Sequence, residues 1–168
     1  MAEGIRRVVS GPLADGRSGV LIDGEATSVY RYHGDHEGFV VTDVWSVDAL
    51  SPDPTDRTPQ TDLRDIFSLV PGSSRFRVET MAPTAAPTGW HRTSTLDYEY
   101  IVSGEIDLFM EDGSSARLAA GDVNVQLGGL HQWWNRSGAP CVMVIVMIGV
   151  ESPHEPGVVA GPPGGVGR

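Results

Sequence analysis

Past residue 89 the chain is broken by a turn every eight to twelve residues. The runs YEYIVSG, EIDLFME, SARLAAG, DVNVQL, HQWWNRS and CVMVIVMIGV follow one another, and EDGS at 111–114 is a hairpin signal. This punctuation leaves no room for a helix of ordinary length. It predicts many short strands closed into a sandwich or barrel. The earlier half reads the same way. IRRVV, GVLI, SVYRY and GFVVTDVW are β-branched and aromatic, separated by Asp-Gly at 15–16 and 23–24 and by HGDHEG at 33–38. Twenty-one glycines and twelve prolines in 168 residues serve these turns.

Other segments depart from the pattern. Residues 48–62 are polar with three prolines and read as a loop, residues 63–69 as one short helical turn, and SRFRVETM at 74–81 as a strand. Residues 151–168 carry too much glycine and proline to pack and are expected to be disordered.

Charge removes several functions. The formal net charge of -10 makes the chain a poor partner for nucleic acid or an anionic membrane. All twelve basic residues are arginine, so Schiff-base, pyridoxal-phosphate and phosphate-loop lysine chemistry is ruled out. The one cysteine, Cys141, lies in an apolar run and reads as a small buried hydrophobe. The opening residues lack the apolar core of a signal peptide and no run is long enough to span a bilayer, so a cytoplasmic location is expected.

The segment GWHRTSTLDYEYIVSGE, 89–105, places His91, Asp97 and Glu99 among apolar and aromatic residues. A buried charge is costly unless it is paired or bound to a metal. Counting by twos puts Asp97, Glu99 and Ile101 on one face of a strand. Glu99 is then either a second carboxylate inside a barrel or a rim residue paired with an arginine. Counting by twos from His131 puts Trp133 and Asn135 on its face. His33 and His36, in a glycine-containing stretch, read as part of a solvated loop, and His154 as inert.

The region 89–149 resembles the cupin superfamily of small β-barrels. His91, Thr93, Asp97 and Gly104 fall at the positions of the family's first motif, with Thr93 where the second histidine usually stands and Asp97 where a glutamate does. Gly121, Asp122, Gly129, His131 and Asn135 answer to the second, with Leu127 in place of its proline. HRTSTLDY and QLGGLHQWWNRS resemble a subgroup of single-domain members with His-Arg-Thr followed by Asp-Tyr. The resemblance implies an all-β double-stranded β-helix, or jelly-roll barrel, with additional N-terminal strands. It divides the single domain into residues 1–85, which complete the barrel and a homodimer surface, residues 86–150 with the two motifs, and the tail 151–168.

It also implies one divalent metal (iron, zinc, manganese or nickel) held by His91, Asp97 and His131, the two-histidine, one-carboxylate set of a facial triad. Asp97 is one methylene shorter than the glutamate it replaces. The alternative is a metal-free site in which histidine and the carboxylates Asp97 and Glu99 exchange protons as acid and base. Trp90, Tyr98, Tyr100, Trp133 and Phe76 are candidate walls for an aromatic or polyketide-like small molecule. Arg92 and Arg75 are candidate clamps for a substrate carboxylate. Three functions remain open: a metal-dependent dioxygenase or decarboxylase, a metal-independent dehydratase, isomerase or cyclase, and a binding module without turnover.

Overall fold

The computed structural model describes residues 4–48, 58 and 66–159. Their regular structure is thirteen strands and one 3-10 turn, Gly34–His36. The expected all-β jelly-roll barrel of the double-stranded β-helix type is what the chain forms. Two sheets face each other across the core.

The larger sheet has six strands. In chain order they are β3 (Ser28–Arg31), β4 (Phe39–Val47), β5 (Ser74–Met81), β7 (Thr95–Ser103), β10 (Val123–Gln126) and β12 (Cys141–Gly149). Side by side they run β10-β7-β12-β5-β4-β3. The facing sheet is β13-β6-β11-β8-β9, built from β6 (His91–Arg92), β8 (Glu105–Met110), β9 (Ser115–Ala119), β11 (His131–Trp134) and β13 (Gly157–Val158). The N-terminal strands β1 (Arg6–Pro12) and β2 (Ser18–Glu25) pair only with each other. Ile101, Ile106, Leu108, Trp133, Met143, Ile145 and Met147 form the buried apolar cluster between the sheets.

Gly104 makes the turn from β7 into β8. Its φ is +76°, and a Cβ there would run into the Pro140 carbonyl oxygen and come within 2.8 Å of the Cys141 Cα. Only glycine meets both demands. Asn135 closes the turn after β11. Its amide donates to Met81 O (2.7 Å) and Ala139 O (2.9 Å), while its oxygen accepts from the Ser137 amide (2.9 Å) and hydroxyl (2.7 Å).

Three sequence expectations change. The tail begins ordered: Gly157 and Val158 pair with Arg92 and His91, because β6 offers a free edge that only two residues are needed to fill. Residues 160–168 lie outside the described residues. Residues 66–69 bend without forming a helix; residues 63–65, and all of the proposed loop at 48–62 except Asp48 and Thr58, lie outside the described residues. Finally, Tyr98, Tyr100 and Phe76, read as pocket walls, face outward with 49%, 47% and 41% of their surface exposed. Strand alternation requires it, since Asp97, Glu99 and Arg77 beside them are buried on the inner face.

That outer face is unusual for an antiparallel sheet, whose solvent side is ordinarily polar. Strand register aligns Trp45, Phe76, Val146, Tyr98 and Val125 in one uncharged row across five strands.

Candidate active site

A cavity of about 100 Å³ opens between the two sheets. One wall is the pair His91 and His131. β6 and β11 bring them into direct register, with ring centroids 4.2 Å apart. Each Nδ1 lies against a backbone carbonyl, His91 at 2.9 Å from Gly89 O and His131 at 2.7 Å from Gly129 O. Those contacts assign the proton to Nδ1 and leave each Nε2 with its lone pair. Burial holds both rings neutral. It pushes His131 down to about 3, helped by the charge His91 would carry, and lowers His91 as well.

The opposite wall belongs to the six-stranded sheet and carries three carboxyls. Glu99 is buried and accepts a hydrogen bond from Asn124 Nδ2 at 2.7 Å. It is not the arginine-paired rim residue that one sequence reading allowed, because Asn124 faces it in register from β10. Burial raises Glu99 to about 8, against the Asn124 hydrogen bond and with the charges of Asp97 and Glu79 adding to the rise. Burial raises Glu79 to about 7, with Arg77 opposing and Asp43 and Asp97 adding. Asp97 rises to about 6, again through burial, with Thr95, Arg77 and Thr93 drawing it down. Among the described residues its buried Oδ1 makes no hydrogen bond of sound geometry, and the Thr93 and Thr95 hydroxyls near it are unmet as well.

Arg77 fixes this wall. Its Nε and Nη2 donate to the two oxygens of Asp43 at 2.7 and 3.3 Å, and its Nη1 reaches Ile66 O at 3.2 Å and Glu79 at 3.5 Å. Asp43 itself has no exposed surface. Between the carboxyls of β7 and β5 runs the apolar strip Ile145 and Met147 of β12, and Tyr32, Phe39, Phe67 and Trp133 supply the aromatic part of the lining.

The structure therefore brings His91, Asp97, Glu99, His131 and Trp133 to one cavity. It does not bring Trp90 and Arg92 there, although they adjoin His91 and were read with it. Trp90 gives its carbonyl to Val159 N (2.9 Å), and Arg92 turns to Glu111 at 3.6 Å. Arg75 is buried against Asp43 at 3.5 Å, behind the wall. His36, read as part of a solvated loop, lines the cavity through its 3-10 turn, edge-on to Tyr32, which stacks on Phe39 at 4.6 Å. Glu79, Arg77, Tyr32 and Phe67 went unnoticed.

The expected metal set does not close. Among the described residues no group of three His, Cys, Asp or Glu side chains is arranged to hold a metal ion. The two imidazoles have the tautomer a metal ligand needs. Asp97, however, stands on β7 of the facing sheet, and aspartate is one methylene shorter than glutamate. The donors present thus do not fit the mononuclear centre.

No family model matches the chain. It is 37% identical over 97 residues to Phomopsin biosynthesis cluster protein C' of Diaporthe leptostromiformis, a match that covers 53% of this chain and 51% of that protein. It thus spans about half the length of that relative. It is 29% identical over 145 residues to a Cupin-domain-containing oxidoreductase, virC, of Hypocrea virens, covering 82% of this chain and 72% of that one. Among solved structures, the cupin_2 domain of an XRE-family transcriptional regulator from Enterobacter cloacae superposes with a TM-score of 0.44 at 18% identity, over 67% of this chain and 97% of that chain. Among the described residues, no helix is long and apolar enough to cross a membrane.

Proposed function

We propose that the protein is a small-molecule enzyme that moves protons within the barrel without a metal, as a dehydratase, isomerase or cyclase does. One observation carries the reading: neutral imidazoles and carboxyls of divergent acidity line the same cavity. At neutral pH Glu99 is a carboxylic acid and Asp97 a carboxylate, two residues apart on one strand face and hence about 6.6 Å along it. Pairs of titratable groups pushed apart in this way divide the acid and base roles. Asp97, or a histidine Nε2, takes a proton from a carbon next to a carbonyl. Glu99 gives its proton to the oxygen that leaves or becomes an enol. The likeness to proteins of biosynthetic clusters supports a small metabolite as substrate.

Metal content separates this reading from the facial triad. Protein purified without chelator is expected to carry less than about 0.1 equivalent of any transition metal by plasma mass spectrometry. About one equivalent, lost in His131→Ala, would restore the metal centre and an oxygenase or decarboxylase.

We also propose that a second copy covers the outer face of the six-stranded sheet. An isologous contact must be self-complementary, and an uncharged row satisfies that on a chain whose net charge is -10. The hairpin β1–β2 points the same way, since two strands alone are marginal in water and this pair leaves Val8 and Val20 more than half exposed. Light scattering at micromolar concentration is expected to return twice the 17.9 kDa chain mass, falling to the monomer in Tyr98→Arg. A monomeric wild type would contradict it.

A further inference from the structure

We propose that the group this cavity binds is a small organic cation, an alkylated ammonium or similar onium, and not a carboxylate or phosphate; the proposal rests on the reading of the cavity as the working site. Three observations converge on it. The first is the state of the only cation lining the cavity among the described residues, Arg77. Its guanidinium is committed to Asp43, Glu79 and the Ile66 carbonyl. Arg75 and Arg92, the expected carboxylate clamps, do not line the cavity. Among the described residues, an entering anion meets no uncommitted arginine and faces three carboxyls.

The second is Asp97. It is 4% exposed, it lines the cavity, and among the described residues its Oδ1 makes no hydrogen bond of sound geometry. A buried carboxylate oxygen left unmet is costly, and a cationic or N–H-bearing ligand would supply both the donor and the counter-charge. The third is the aromatic lining. Tyr32, Phe39, Phe67 and Trp133 surround the space in which those carboxyls end, and rings of this kind attract cations through their negative faces. A volume of about 100 Å³ admits a group of a few heavy atoms, so a larger metabolite would present only its onium end to the carboxyls.

Binding is measured by calorimetry on the full chain at pH 7.5 with three probes of matched shape: choline, its uncharged carbon isostere 3,3-dimethylbutan-1-ol, and the anion 3,3-dimethylbutyrate. Choline is expected to bind at least about tenfold more tightly than the alcohol, with no heat from the butyrate. Asp97→Asn is expected to bring choline and the alcohol to within about twofold of each other. Glu99→Gln, which keeps the shape of the side chain and its Asn124 contact and replaces a carboxyl that is un-ionised at neutral pH, is expected to leave the gap within about twofold of wild type. Equal affinity for the alcohol, stronger binding of the butyrate, or no choline binding up to about 50 mM would overturn the proposal. Because binding is read without turnover, any of these results would leave the proton-transfer reading standing. Failure of that reading would appear instead as an ordinary titration of Glu99.

Discussion

Asp43→Ala is expected to lose about 3–5 kcal/mol of folding stability, the cost of removing one partner from a buried ion pair. Asp43 has no exposed surface, and it holds Arg77 through both oxygens while lying 3.5 Å from Arg75. Its removal takes from the buried Arg77 guanidinium the carboxylate that holds both its Nε and its Nη2. Glu79 stands beside Arg77 and would be drawn toward the ionised form to compensate, so the cavity wall changes along with the stability. Urea denaturation of wild type, Asp43→Ala and Asp43→Asn gives the measurement. The asparagine variant keeps the shape and should fall between the other two. A loss below about 1 kcal/mol in the alanine variant would mean that Arg77 finds another acceptor.

Asn135→Ala is expected to cost about 2–4 kcal/mol, clearly more than His131→Ala. The two residues stand four apart in one sequence motif, yet their surroundings assign them different work. All of the Asn135 amide's contacts go to the turn it closes and to Met81 O. Its loss strands buried backbone groups on β5 and in the 135–139 turn. Among the described residues the His131 side chain makes one hydrogen bond, to Gly129 O, and otherwise meets the His91 ring and the cavity. Removing it enlarges a space that already exists. Denaturation midpoints of the two variants decide the matter; equal losses would make His131 a structural histidine.

The barrel and the histidine pair were legible because their signals are local. Turn dipeptides at short intervals define strands, and the motif spacing around His91 and His131 marks two strands that come to lie side by side in one sheet. Asp97 and Glu99 could be assigned to one face by period two alone. The same rule places Tyr98 and Tyr100 on the other face, so their candidacy as pocket walls was inconsistent with it.

SRFRVETM could not be read correctly in isolation. Alternation of charged and apolar residues ordinarily turns the charges to water and the phenylalanine to the core. Here the pattern is inverted: Arg75, Arg77 and Glu79 face inward and Phe76 faces out. A one-residue choice of face moves every side chain of a strand, and what decides it is Asp43 on the neighbouring strand, 34 residues away in sequence. No feature of the segment itself announces that partner. The metal set depends on a related kind of information. Motif positions predict which residues enter the barrel, whereas the length of one side chain and the spacing of two sheets determine whether three of them meet.

The direct test of the proton-transfer site is the acidity of Glu99. Carbon-13 NMR of protein labelled at the glutamate carboxyl carbon, followed from pH 4 to 10 and assigned with Glu99→Gln, reads it without a substrate. The expected midpoint is about 8, which leaves Glu99 a carboxylic acid at neutral pH beside an ionised Asp97. A midpoint below about 5, the range of an ordinary glutamate, would contradict the assignment of Glu99 as the acid and with it the division of roles across the cavity.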